Sequence, residues 1–214
     1  MPMLQANLRS RIPAFGLTAS LLLAILLPRT ALGQGADDFR RFRGFPVIGY
    51  NTSQIDGDNL AGFYKSGLSA GAGVFVMLDE RERFSLSMEI LYNQKGSRSR
   101  PGVRPLDRVS LNYVDVPVQF NYHDKDRMIF GAGLSFGNLF GAKVLVNDTL
   151  RNDVSDGFEP REFGYLFTAT FLAAESIGIG LRYSGSILSF GQSVNPFVSG
   201  LINRTVGLRA SYIF

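Results

Sequence analysis

The feature that most constrains this chain is a period-two alternation that recurs through most of its length. Phe84, Leu86, Met88, Ile90 and Tyr92 alternate with Ser85, Ser87, Glu89, Leu91 and Asn93. Val114, Val116, Val118, Phe120 and Tyr122 alternate with Asp115, Pro117, Gln119 and Asn121, and the same rhythm returns at 128–136, 163–171, 177–183 and 206–214. Successive strand side chains point to opposite faces, so each segment carries one apolar and one polar or small face. No stripe of helical period stands out. The pattern predicts eight strands, at Phe45–Ser53, Ser66–Leu78, Arg83–Gly96, Val109–Tyr122, Arg127–Val146, Arg161–Ala173, Ile177–Leu188 and Leu201–Phe214.

The connections order these strands. Asp79 to Glu82, His123 to Asp126 and Ala174 to Ser176 are short. Gln54 to Lys65, Ser97 to Arg108, Asn147 to Pro160 and Ser189 to Gly200 are long and rich in Gly, Asp, Asn, Ser and Arg. Short and long links alternate without exception, so an up-and-down arrangement puts every tight turn at one end and every long loop at the other. Outer-membrane barrels have this asymmetry, with short periplasmic turns and long external loops.

Alternation alone leaves open a soluble barrel with its apolar face inside. The polar stripe decides against that. A solvated exterior calls for many Lys and Glu, whereas this stripe is mostly small: Ser69, Gly71, Gly73, Ser85, Ser87, Gly131, Gly133, Ser135, Gly178, Gly180, Gly207 and Ser211. An eight-stranded barrel has an interior only wide enough for side chains to fill, and small residues suit it. The apolar stripe then faces lipid.

Four charges break the polar stripe near mid-strand: Glu89, Asp115, Arg182 and Arg209. Two of each sign inside a narrow lumen predict one neutralising ion-pair network, with Gln119 as its hydrogen-bonding neighbour. Aromatics of the apolar stripe collect near strand ends. Tyr92, Tyr113, Phe163, Tyr165 and Tyr183 lie towards the long loops; Phe84, Tyr122, Phe171, Tyr212 and Phe214 lie towards the short turns. Two such girdles mark the two membrane–water interfaces.

The start of the 214-residue chain follows other rules. Arg9 and Arg11 precede an apolar stretch from Ala14 to Leu27, and Ala31-Leu32-Gly33 supplies small residues for cleavage before Gln34. This predicts a signal peptide over 1–33, a short periplasmic lead-in over 34–43 and a barrel domain over 44–214. Removing the signal takes Arg9, Arg11 and Arg29 from the 22 basic residues, leaving 19 against 18 acidic. Such a balance, with no basic stripe interleaved with aromatics, argues against nucleic acid as a partner.

Three stretches, "SQIDGD" (Ser53 to Asp58), "EILYNQKGS" (Glu89 to Ser97) and "LNYVDVPVQFNY" (Leu111 to Tyr122), resemble the PorT-like outer-membrane β-barrel family of Bacteroidetes. "LRYSGSI" (Leu181 to Ile187) and the aromatic terminus fit the later strands of that family, and the resemblance spans about Gly44 to Phe214. It implies a small barrel in the outer membrane of a Gram-negative cell, with outer-membrane lipid, the barrel assembly machinery and components of a protein-secretion pathway as partners. Phe214 resembles the terminal aromatic through which such barrels are recognised for assembly.

Chemistry is sparse. A single histidine, His123, sits in a predicted turn, where the geometry of a Ser–His or acid–His site is not expected and a solvated side chain is. There is no cysteine, and scattered acids give no metal-ligand spacing. Gly131, Gly133, Gly137 and Gly141 miss the dinucleotide-binding spacing, and no helix follows them. The sequence thus predicts no catalytic residue, no metal and no cofactor. It leaves two roles: a membrane scaffold whose long loops meet partners and which supports secretion, or a narrow porin-like channel.

Overall fold

The computed structural model describes residues 41–214 except 59, 61, 101, 103–106, 125–126, 147–148, 153–157 and 190–199. The expected signal peptide and most of the lead-in lie outside the described residues. The chain forms β1 (Phe42–Asp56), β2 (Lys65–Met77), β3 (Phe84–Arg98), β4 (Arg108–Asp124), β5 (Met128–Val146), β6 (Thr149–Asn152), β7 (Arg161–Ala174), β8 (Ile177–Ser186) and β9 (Ile202–Tyr212). All pairings are antiparallel. The order β4-β3-β2-β1-β9-β8-β7-β5 is closed by β4–β5, giving an eight-stranded barrel with β1 and β9 as neighbours. Closure removes the unpaired edges that would otherwise be intolerable in hydrocarbon.

The expected strands all form, with three differences. First, β1 begins at Phe42 rather than Phe45, because Phe42, Arg43 and Gly44 pair with Val76, Phe75 and Val74; the end of the lead-in therefore belongs to the wall. Arg43 also forms an ion pair with Glu82 at 2.5 Å, tying the start of β1 to the β2–β3 turn. Second, a ninth strand, β6, lies within the predicted long loop and pairs with Lys143–Val146 at the outer end of β5. It adds height, not circumference. Third, Tyr113 does not join the lipid-facing girdle. It lies in the register of Asp115 and is fully buried in the interior.

The outer surface is an apolar belt. Leu86, Met88, Ile90, Val118, Phe120, Leu134, Ile179, Leu181 and Leu208 are all exposed, Ile90 by 62%. An encircling apolar surface of this extent is incompatible with water as the only solvent. Ring pairs flank it at both ends. Tyr165 lies 6.1 Å from Tyr183 and Phe136 5.2 Å from Phe163 at the long-loop end; Phe84 lies 5.6 Å from Tyr122 and Tyr212 6.4 Å from Phe214 at the short-turn end. Phe214 is exposed, and its ring covers Gly44, where an added Cβ would lie 2.9 Å from Phe214 Cε2.

Candidate functional site

The inward face determines whether anything passes through the barrel, and it is filled in layers. Nearest the short turns, Phe45, Val47, Phe75, Met77, Leu91, Ile129 and Ile213 form a buried apolar cluster. Beside it, His123 is in β4 and within the lumen mouth rather than in a solvated turn. Its Nε2 is 2.8 Å from Ser85 Oγ, and its ring meets that of Phe75 at 6.0 Å. Inward alternation of β4 carries it there, two residues beyond Asn121, which donates to Ser87 Oγ at 2.9 Å.

Above this lies the first charged layer. The Glu89 carboxylate accepts from Arg182 Nη2 at 2.7 Å and from Arg209 Nη2 at 2.9 Å. Gln119 Nε2 donates to the same carboxylate at 3.1 Å, and Thr168 Oγ1 donates to Gln119 Oε1 at 3.0 Å. Three of the four mid-strand charges, and the expected glutamine, are therefore together.

Asp115 is not with them. It belongs to a second layer nearer the long loops, where Lys95 Nζ lies 3.1 Å from Asp115 Oδ2 and 2.8 Å from Glu162 Oε1. Asn93 Nδ2 donates to Asp115 at 2.8 Å, Asn203 Nδ2 donates to Glu162 at 2.5 Å, and the Lys95 ammonium stands 4.6 Å from the centre of the Tyr113 ring. One expected network is thus two, and Lys95 and Glu162 are the members that sequence reasoning missed. A second apolar group, Ile55, Leu111, Tyr113, Leu139, Ala142 and Leu201, covers this layer on the external side.

Glycines make room for these side chains. Across the ladders Glu89 faces Gly73, Gln119 faces Gly133, Asp115 faces Gly137, Arg182 faces Gly207, and Arg209 lies between Gly49 and Gly180. A Cβ on Gly73 would approach Phe45 Cζ to 2.6 Å and Glu89 Cγ to 2.8 Å. Large and small residues alternate across strands to fill a tapering interior. Among the described residues the cavities beside the two charged layers are small, ≈ 20, ≈ 30 and ≈ 30 Å³, about enough for isolated waters. Beyond the end of β1, Asp58 accepts a hydrogen bond from Ser97 Oγ, and burial pushes its carboxyl above the usual carboxylate range.

Chemically, the two layers are three carboxylates matched by three cations, with Glu89 and Lys95 each held by two opposite charges. Buried charges so paired resist rearrangement, because breaking one pair strands its partner in a poorly solvated place. Among the described residues no group of three or more His, Asp or Glu is arranged to hold a metal ion.

Comparison with known proteins agrees with this architecture. Residues 38–191 match the family described as outer membrane protein beta-barrel domain. Among solved structures, Ail, the attachment invasion locus protein of Yersinia pestis, aligns with a TM-score of 0.51 at 15% identity over 82% of this chain and 100% of its own. Neisserial surface protein A aligns with a TM-score of 0.50 at 10% identity over 85% of this chain and 100% of its own. At such identities the likeness is one of fold. No curated protein sequence matches the chain.

Proposed function

The chain belongs to the outer membrane protein beta-barrel domain family, and from that premise we propose that it is a non-enzymatic, non-conducting scaffold that holds its external loops at the cell surface. The outer membrane is its location, and its strands are the anchor. The observation that carries the proposal is the filled lumen. Two apolar clusters bracket two ion-pair layers, and the cavities between them measure only ≈ 20 to ≈ 30 Å³. A solute path would need several of these contacts to break together.

The channel reading is tested directly. Purified protein in planar bilayers is expected to show no defined unitary conductance, and a reproducible open state would overturn the scaffold proposal in favour of a narrow pore. The PorT-like resemblance supplies a direction for the scaffold, namely support of protein export across the outer membrane. Affinity capture from detergent-solubilised envelopes tests that part alone: co-purification of a secretion component supports it, and its absence leaves a scaffold without that role.

A further inference from the structure

The inward glycines are of two kinds. At Gly73 and Gly133 a side chain would collide: an added Cβ would lie 2.6 Å from Phe45 Cζ at the first and 2.0 Å from the Val118 carbonyl oxygen at the second. Gly207 differs. The atom nearest to a Cβ there is Asn51 Cβ at 3.3 Å, followed by the Tyr50 carbonyl oxygen at 3.5 Å. Its backbone is that of an ordinary strand residue, without a positive φ. Neither conformation nor close packing calls for glycine at this position of β9. What the missing side chain preserves is space, and a cavity of ≈ 30 Å³ opens there.

Register sets the walls of that cavity. Gly207 pairs with Asn51 of β1 and with Arg182 of β8. Two residues towards the long loops is Thr205, paired with Ser184; two residues towards the short turns is Arg209. Ser69 of β2 reaches the same space, since Gly49 stands between it and Arg209.

The chemistry of the lining is one-sided. Both guanidiniums line the cavity and no carboxylate does. Glu89 lines a separate cavity, with Phe45 and Ile213 of the short-turn cluster. Its single charge is shared between Arg182 and Arg209, so the first layer carries one positive charge in excess. The opposite excess of the second layer is already met by donors, from Asn93 to Asp115 and from Asn203 to Glu162. The positive excess has no such answer. Arg182 uses Nη2 on Glu89, while its Nε is shielded from solvent and has no hydrogen-bond partner. Thr205 is 5% exposed, and its Oγ1 is likewise unpartnered. Asn51 does not serve as the acceptor. Its Nδ2 donates to Asn93, which fixes the amide, and its Oδ1 lies over Gly67.

Buried donors are almost always matched by an acceptor, and a buried charge by an opposite one. Water in this cavity would answer the first need only. A small anion answers both, and ≈ 30 Å³ is about the space of one monatomic ion or a pair of waters. We propose that the lumen binds one monovalent inorganic anion of the halide class beside Gly207, held by Arg182 Nε and the Thr205 hydroxyl. The hydroxyls of Ser69 and Ser184 complete the cradle, and Arg209 adds charge. The ion is then a structural part of the plug.

The test is urea unfolding of the full barrel in lipid vesicles, with chloride varied at constant ionic strength and gluconate making up the difference. An ion bound only by the folded state stabilises it in proportion to the logarithm of its concentration. Each tenfold rise in chloride above the dissociation constant is expected to add about 1.4 kcal/mol. Gly207→Ala places a methyl in the cavity and leaves every charge in place; it is expected to abolish that dependence. Thr205→Val keeps the side-chain shape without the hydroxyl and is expected to weaken chloride binding about tenfold. Heat-modifiable gel migration verifies that each variant is folded. No chloride dependence in the parent overturns the proposal, and so does an equal dependence in folded Gly207→Ala. Should that variant not fold, crystals of the parent grown in sodium bromide decide. An anomalous peak between Arg182 and Thr205 is expected; bromide found only elsewhere, or none, overturns the site.

Discussion

The two charged layers inside the barrel are near mirror images in charge. At the first, one carboxylate, Glu89, is held between two guanidiniums. At the second, one ammonium, Lys95, is held between two carboxylates, Asp115 and Glu162. The layers differ in how completely water is excluded. Side chains of the second are 4–7% exposed, whereas Arg182 and Arg209 in the first keep 14% and 12%. Guanidiniums are also weakly hydrated and spread their charge, so a layer with an excess of arginine tolerates imperfect pairing better than one with an excess of carboxylate. Sealing rather than charge count distinguishes the two, and mutation can separate these factors.

The largest effect is expected from Lys95→Met, which strands two carboxylates side by side in the sealed layer. A stability loss of about 3–5 kcal/mol is expected, read from urea unfolding of the barrel in lipid vesicles. Glu89→Gln leaves two guanidiniums facing one another but with access to the adjoining cavity of ≈ 30 Å³. Its loss is expected to be smaller, about 2–3 kcal/mol for an unsatisfied charged contact, in the same assay. Equal losses from the two variants would break the comparison and show that charge count alone governs. Gly73→Ala sharpens it without changing charge: the new methyl crowds Phe45, Glu89 and the Met88 carbonyl oxygen together, for a cost of about 1–3 kcal/mol through overpacking. A loss below that range would mean that the first layer yields easily, in keeping with its greater exposure.

These layers also show what could be seen in the sequence. Glu89, Arg182 and Arg209 interrupt a stripe of small residues in mid-strand, where a charge stands out against its neighbours. Lys95 and Glu162 had no such signal. Lys95 lies near the end of β3 and Glu162 is the second residue of β7, both beside long polar connections that make charge look ordinary. Stagger between tilted strands brings them inside. Asp115 faces Gly137 across β4–β5, and Gly137 faces Glu162 across β5–β7, so the middle of one strand and the start of another share a row.

Tyr113 illustrates the same limit. Its ring chemistry fits either an interfacial girdle or a buried cap over an ammonium, and only its phase relative to Asp115 distinguishes them. His123 is similar, since a short turn in sequence proved to include the last inward positions of β4. β6 had no periodicity of its own to announce it; four residues form a strand there because the outer end of β5 offers an unpaired edge.

By itself, then, the sequence determined the strands, their up-and-down order, the barrel and its lipid-facing surface, because period two and the alternation of short and long links are local properties. Tertiary structure alone decided which charges meet, how the lumen is sealed and how high each wall stands. Those depend on register and shear, which relate residues from distant strands and leave no trace in any one of them.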